Sequence, residues 1–464
     1  MDIAEPAGSG IGHWLRGVFP VKRNELLTVA LLALNVFILL NSYYILKVVR
    51  EPLILLGGGA NWKAYASAFQ ALLLLGVVPA FSYLSARVSR IRLLTIMQVI
   101  FIGCLIVFYL LAQAKAPIGL AFYVWLGIFN ALVVSNFWSF ANDLYTEEQG
   151  KRVFGLIGVG ASIGAIAGAF LPRVLEPILQ IHGLMALAVA CLGVSIALYR
   201  IVDARESERA KREVASAKSD ESHDKSGGFG MVMKNRYLRL IAFMLLVATT
   251  VNSTGEFIVG EMAETHAKAH VQEVFATDPP PADKTAREKK EKEIAGTYLS
   301  NFYSEYYTLV NLVGALLQAF VVARLLTWLG IRKALFIMPV IVFGGWIACV
   351  FFLNTMMVRV EKTTENSLDY SLHNTLRQAL FLPTSHDAKF KAKAAIDTFF
   401  FRMGDVVSAF VLVLIFSDLL GMGLRVFAGI NIALCCLWLF LVWRTGKAHD
   451  ELVAQQHSDE HQAA

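Results

Sequence analysis

The stretch KFKAKAAIDTFFFRMGDVVSAF, Lys389 to Phe410, opens with a basic cluster at Lys389, Lys391 and Lys393. It then runs into an apolar helix that still holds Asp397, Arg402 and Asp405. A charged side chain at the centre of a membrane helix costs about 2.5–3.5 kcal/mol on insertion scales. Three in one segment must turn toward protein or water, so the chemistry they suit is the binding and passage of a charged solute. A structural reading stands beside this one, in which Asp and Arg in neighbouring turns neutralise each other.

The same residue types recur in other apolar segments. Lys47 and Arg50 lie three apart on one helical face, with Glu51 directly after; long cations of this kind also snorkel at membrane edges. Glu256 comes after a long apolar run in VNSTGEFIVGEM. Glu361, Glu365, Asp369, His373 and Arg377 recur every fourth residue and make one slowly drifting stripe. Its outer part, through Glu361, reads as a solvated extension, whereas Asp369, His373 and Arg377 need a cavity. Asn130, Ser135, Asn136, Ser139, Asn142 and Asp143 make a further segment unusually polar; such side chains also join helices by hydrogen bonds. The cations Lys47, Arg50, Arg377 and Arg402 suit anionic oxygens. Glu256, Asp397 and Asp405 would pair with them when the site is empty, and Asn142 completes the candidate substrate-binding set. Glu256, Asp369 and His373 are the candidates for carrying a proton.

Covalent chemistry is not expected. There is no nucleophile–base constellation, metal cluster or phosphate loop, so neither an enzyme nor a cofactor or metal is predicted. GVGASIG, at Gly158–Gly164, comes after no strand and lies inside an apolar helix, which excludes a dinucleotide loop. The repeat Gly160, Gly164, Gly168 instead suits close helix approach. The five cysteines, Cys104, Cys191, Cys349, Cys435 and Cys436, all sit in apolar segments and read as packing residues.

The elements that must position these residues are membrane helices. The 464-residue chain is 56% hydrophobic and 17% charged, against about 25% charged for soluble domains. A span needs about 20 apolar residues, and twelve are predicted: α1 26–49, α2 64–84, α3 93–111, α4 120–140, α5 153–175, α6 184–201, α7 238–259, α8 306–326, α9 334–353, α10 365–382, α11 394–419 and α12 424–443. No cleavable leader is read at the start. The net charge of +6 is carried mostly by short connections, so it reports orientation rather than a nucleic-acid partner. Lys22, Arg23, Arg87, Arg90, Arg92, Lys151, Arg152, Arg332, Lys333, Lys389, Lys391, Lys393, Arg444 and Lys447 all fall on one side, which predicts cytoplasmic termini in a plasma membrane, the inner membrane if the source is bacterial.

The predicted organisation is a tail over 1–24, a six-helix bundle over 25–202, a cytoplasmic linker over 203–236, a second bundle over 237–446 and a tail over 447–464. An external loop, 261–302, interrupts the second bundle and is expected to contain a solvated helical extension leading into α8. The two bundles repeat. Gly164, Ala169 and Phe170 match Gly404, Ala409 and Phe410, 240 residues on, and IRLLTIMQVI at Ile91 matches IRKALFIMPVI at Ile331 at the same offset. Leu144, Thr146 and Lys151 match Leu382, Thr384 and Lys389, and Asn41-Ser42 in α1 matches Asn252-Ser253 in α7. Parallel six-helix halves, with the substrate between them near the midplane, are the plan of major facilitator transporters.

These motifs carry a resemblance. Tyr43, Ile45, Leu46, Lys47, Arg50 and Glu51, FWSFAND at Phe137–Asp143, EEQGKRVFGLIGVGA from Glu147, YSLHNTLRQALFLP from Tyr370 and KFKAKAAID from Lys389 resemble the nucleotide (ATP/ADP) translocases of plastids and intracellular bacteria. The resemblance runs from α1 to α12 with gaps and implies an all-α, major facilitator-type nucleotide antiporter. It implies that Arg50 stands at a family lysine and Glu256 at a family acid. Two positions depart: Leu126 and Gly127 lie near a family acid, and Asp405 stands where the family has a lysine, with Arg402 one turn away. The departures predict preference for a solute less negative than ATP, or a requirement for a proton on Asp405 when an anion binds. Beside this reading stand a proton-coupled carrier of another small anionic or polar solute, and a non-transporting scaffold acting through 203–236 and 261–302. The expected partners are a small solute and the lipid bilayer; a monomer is the default, since oligomeric state is not legible.

Overall fold

The computed structural model describes residues 23–85, 87–145, 147–213, 228–384 and 392–463. Lys22, Thr146, Lys389, Lys391 and linker residues 214–227 lie outside the described residues. Among those described, the chain is helical throughout and contains no strand. Among the described residues eight continuous stretches are long and apolar enough to cross a membrane; corners divide two of them, and α9 and α10, which lie outside these stretches, bring the segments to twelve. Arg23–Ser85 turns back at Gly59 (φ 74°), which separates α1 from α2. Glu147–Glu213 turns at Gln180 (φ 54°), between α5 and α6. Gly330 (φ 69°) ends the stretch containing α8 and leads into α9, whose core is Ile337–Phe351. Arg90–Gln113 is α3, Gly119–Leu144 is α4 and Arg236–Thr277 is α7. The charged α10 begins at Thr355 and runs through a π-helical turn at Asp369–His373 to Ala379. In α11, Lys393–Leu419, π-helical turns at Ile396–Phe400 and Ser408–Leu419 flank Arg402 and Asp405. Such turns recur at functional sites because they re-aim the side chains of the next turn.

The helices run past their apolar segments at three places. Across the predicted external loop, 261–302, α7 stays helical to Thr277, and the helical extension expected before α8 is present from Lys284, capped by Asp283, whose carboxylate accepts the Ala286 amide at 2.8 Å. The residues beyond Glu261 lost apolarity but kept helix-forming side chains and a Glu264–Lys268 pair at 2.7 Å. Likewise α6 continues to Glu213 and α12 (Leu424–Ala463) through the predicted tail. The end of an apolar run marks the membrane surface, not the end of a helix.

Each half is held by the same pairing, and glycine sets it. A Cβ at Gly160, Gly164 or Gly168 of α5 would collide with the carbonyls of Ala33, Phe37 and Asn41 on α1. In the second half, a Cβ at Gly404 of α11 would lie 2.8 Å from the Thr250 amide and 2.9 Å from the Leu246 carbonyl on α7. Gly164 and Gly404, matched in the repeat, therefore do the same work. Backbone cannot retreat from such a contact as a side chain can, and overpacking of this kind typically costs about 1–3 kcal/mol. Gly164→Val should lower the thermal unfolding temperature in detergent by several degrees, while Gly158→Val, whose Cβ would meet open space, should not. Equal stability of the two variants would refute the close-approach argument.

Candidate functional site

A cavity of about 340 Å³ lies between the halves. The first half contributes Tyr43, Lys47 and Arg50 of α1, Lys63 and Gln70 of α2 and Tyr123 of α4; the second contributes Ser253 and Glu256 of α7, Tyr307 of α8, Asn366, Asp369 and Tyr370 of α10 and Arg402 and Asp405 of α11. Its charged wall is four cations, Lys47, Arg50, Lys63 and Arg402, against three acids, Glu256, Asp369 and Asp405.

Behind that wall runs a chain of alternating charge. Arg50 donates to Glu51 at 2.5 Å, and Lys63 reaches the other Glu51 oxygen at 2.8 Å. The Tyr307 hydroxyl also donates to Glu51, at 2.8 Å. Lys63 lies 3.5 Å from Glu256 across the seam between halves. The Glu256 carboxylate accepts from Tyr306 at 3.0 Å and Asn366 at 2.9 Å, with Lys362 at 3.9 Å. Lys362 ends the chain on Glu365 at 3.1 Å. Glu51, Lys362 and Glu365 are at most 1% exposed. A lone buried ion costs several kcal/mol, so each charge is tolerable only because the next one stands beside it. The consequence is mechanical as well as electrostatic: the Lys63–Glu256 and Tyr307–Glu51 contacts join the two halves through the floor of the cavity.

Two cations are held differently. Lys47 sits 4.1 Å above the Tyr307 ring and 5.2 Å from the Tyr44 ring, and donates weakly to the Tyr370 hydroxyl at 3.5 Å. Arg402 lies 5.9 Å from the Phe401 ring. Among the described residues neither has a carboxylate within ion-pairing distance, although both line the cavity. Asp405 is bound by the Ser253 hydroxyl at 2.5 Å. Aromatic faces hold a cation in place without consuming its charge, which leaves Lys47 and Arg402, one on each half, available to a solute.

The candidate residues thus divide. Lys47, Arg50, Glu256, Asp369, Arg402 and Asp405 line the one cavity. Arg377 and Asp397 do not; they face each other at 3.8 Å, with the Arg377 guanidinium 5.0 Å from the Phe401 ring. Asp397 therefore neutralises Arg377 on α10, not Arg402 on its own helix. His373 packs edge-on against Trp438 at 5.8 Å, inside the second half and away from the cavity. Asn142 is exposed at the end of α4, next to an Asp143–Arg90 ion pair at 2.9 Å. Glu361 is only 5% exposed and presses on Gly345 of α9, so the solvated extension expected through Glu361 is corrected to a buried one. Sequence reasoning passed over Lys63, Lys362 and Glu365 as site residues, and over the tyrosines. The available signals were Lys63 at the end of the predicted gap before α2, and the tyrosine pairs Tyr43-Tyr44 and Tyr306-Tyr307.

The end of the molecule away from the described chain termini is closed. Asn61 and Tyr65 both donate to Asp418, the Ala60 amide donates to Glu264 at 3.2 Å, and Arg173 and Arg359, on opposite halves, grip Glu305 at 2.6 and 2.7 Å.

Two six-helix halves around a central polar cavity, sealed at one end, define a membrane carrier of small solutes. The chain belongs to the Major Facilitator Superfamily, which it matches over residues 26–360. Among curated relatives it is 22% identical over 369 residues to ADP,ATP carrier protein 3 of Rickettsia bellii, covering 71% of this chain and 70% of that one. It is 23% identical to ADP,ATP carrier protein 4 of the same organism, covering 66% of this chain and 60% of that one. It is 21% identical to ADP,ATP carrier protein 2 of Chlamydia trachomatis, covering 93% and 90%. The resemblance to nucleotide translocases is borne out at this level. In structure the chain resembles a POT family transporter in complex with 5-aminolevulinic acid (TM-score 0.62, 11% identity, 91% of this chain and 96% of that one). It also resembles the nucleoside transporter NupG (TM-score 0.56, 12% identity, 89% and 98%). Membership in a transporter family replaces the scaffold reading, and at the family level the protein is not an enzyme.

Proposed function

We propose that this protein is an antiporter that exchanges a nucleotide-like organic anion, less negatively charged than ATP, by alternating access. The observation that carries this reading is the pair Lys47 and Arg402, one on each half, with no carboxylate of the described residues within ion-pairing distance. An anion between them is gripped from both sides, and its binding favours rocking of the halves as a pair. The nearly balanced wall, four cations to three acids, suits a solute of small net charge; the ADP,ATP carriers among its relatives point to nucleotides as the first class to test. The positive residues of the short connections support cytoplasmic termini.

The test uses proteoliposomes preloaded with ATP, ADP, AMP or no solute, their orientation scored by impermeant labelling of a cysteine placed at Ala282. Uptake of labelled nucleotide should require a counter-substrate inside and should be faster for the mono- or diphosphate than for ATP. Uptake into empty vesicles driven by a pH gradient would instead support proton symport. That second reading has its own observation: Glu361 and Glu365 are both buried, and a single ammonium, Lys362, lies within ion-pairing distance of Glu365 alone of these two.

A further inference from the structure

Charged side chains make only part of the wall of the solute cavity. On α2, Lys63, Ser67 and Gln70 follow one another at spacings of four and three, and on α4 Tyr123, Gly127 and Asn130 do the same. Each trio therefore lies on one helical face, and all six residues line the cavity. Lys63 and Tyr123 stand at the charge chain: the Tyr123 ring lies 4.0 Å from the Arg50 guanidinium. Seven residues further along each helix, at a rise of about 1.5 Å per residue, Gln70 and Asn130 lie about 10 Å away from it. The wall there, made by Ser67, Gln70, Gly127 and Asn130, is polar but uncharged. The stack of Tyr65 on Phe410, at 5.9 Å, sets the antiparallel register of α2 and α11. That register puts Gln70 at the depth of Asp405, one turn from Arg402.

Gln70 is seated by a glycine. A Cβ at Gly127 would collide with its carboxamide, so the amide fills the space that any side chain at 127 would take. Gln70 is only 9% exposed, and among the described residues its amide has no hydrogen-bond partner. The amides that the second half brings to the cavity are committed. Asn252 donates to Asn366 at 2.7 Å, and Asn366 donates to Glu256 at 2.9 Å and to the Tyr306 hydroxyl at 2.7 Å. An amide buried without a partner is costly to the protein. One that faces a solute cavity has the solute as its partner.

We propose that Gln70 reads the nucleobase of the proposed solute, taking a base edge that presents a hydrogen-bond donor beside an acceptor. The inference rests on the nucleotide reading above and adds the residue that tells one base from another. A carboxamide carries one acceptor and one donor at fixed spacing. Glutamine makes two hydrogen bonds in this way to the amino group and the adjoining ring nitrogen of adenine. Lys47 and Arg402 hold the phosphate, and in a cavity of about 340 Å³ a solute gripped by them also meets Gln70. A base lacking one of the two groups leaves the buried amide half paired, which is how a hydrogen-bonding site rejects an analogue. Gly127 is the positioning residue, since the amide keeps its place only while no side chain stands there.

Affinities of the purified full-length protein are measured by calorimetry for three ligands: AMP, the same nucleotide without its exocyclic amino group, and ribose 5-phosphate, which has no base. Wild type should bind AMP about tenfold more tightly than the analogue lacking the amino group. Gln70→Leu should bind these two alike and ribose 5-phosphate as wild type does. Gly127→Ala should lose the same preference, and it displaces only the end of a flexible side chain, so it serves where Gln70→Leu does not fold. Thermal unfolding of each variant establishes that it is folded. A folded Gln70→Leu protein that still prefers AMP overturns the assignment and leaves the nucleotide reading standing. Equal weakening of all three ligands also overturns it, because Gln70 then shapes the cavity without reading the base. Equal binding of AMP and the analogue by wild type does the same. Wild type that binds none of the three overturns the nucleotide reading, and this inference with it.

Discussion

Lys63→Met should abolish transport and lower stability more than any other single substitution in the cavity wall. Lys63 stands between two acids from opposite halves, Glu51 at 2.8 Å and Glu256 at 3.5 Å, and is 4% exposed. Its ammonium also lies 4.8 Å from the Tyr303 ring. Removing one partner of a buried pair leaves an uncompensated charge and costs about 3–5 kcal/mol. Glu51 would keep Arg50, but Glu256 would keep only Lys362 at 3.9 Å and its neutral donors. A loss of about 3 kcal/mol from the substrate-bound state alone corresponds to about a hundredfold in affinity. The measurements are the thermal unfolding of the purified variant and its exchange rate in proteoliposomes. Lys63→Arg should retain most of the stability. Lys63→Met with Glu256→Gln should recover part of the stability but not the transport, because the orphaned acid is gone while the link between halves is still missing. Wild-type exchange and unfolding in Lys63→Met would show that the charge chain does not hold the halves together.

Asp405→Asn should raise affinity for the proposed anionic solute by tenfold or more, and Arg402→Gln should lower it. Both side chains line the cavity. Unit charges about 4 Å apart interact by about 4 kcal/mol at an effective dielectric of 20, and by about half that at twice the distance. Even the weaker figure exceeds a tenfold change. Asparagine keeps the contact that Asp405 makes with the Ser253 hydroxyl, so the variant changes charge with little change of shape. Asp405→Lys should further shift preference toward ATP, since it supplies the cation that the resemblance to nucleotide translocases implies at that place. Uptake of labelled ATP and ADP across pH reads all three. If Asp405→Asn and Arg402→Gln both exchange as wild type does, neither charge is felt by the solute.

The two predictions differ in how visible their residues were. Arg402 and Asp405 stand out because each interrupts an apolar run, where a charge must find a partner or water. Lys63 does not, because NWKAYASAF reads as the polar start of a span, and nothing local reveals that the corner at Gly59 folds it back onto Glu51. The segment EKTTEN of α10 is hydrophilic enough to pass for a solvated extension; packing of α7, α8 and α9 around it makes Glu361, Lys362 and Glu365 interior residues. The charge stripe of α10 shows the complementary failure. Its fourfold spacing was legible, but the π-helical turn at Asp369–His373 rotates the rest of the helix, so Asp369 lines the cavity while His373 points into the bundle and Arg377 turns to Asp397.

The sequence by itself determined the class of the molecule: apolar runs of spanning length and the cation bias of short connections reflect the bilayer as solvent, and the repeat at an offset of 240 residues reflects two like halves. It also determined that charge lies inside the bundle, and it placed six of the residues that meet there. Only the tertiary structure decided which acid serves which cation. Partner choice depends on distances of a few ångströms between helices far apart in the chain, as between Lys63 of α2 and Glu256 of α7 or Tyr307 of α8 and Glu51 of α1. Coulomb energy falls with that distance while hydrophobic patterning does not register it.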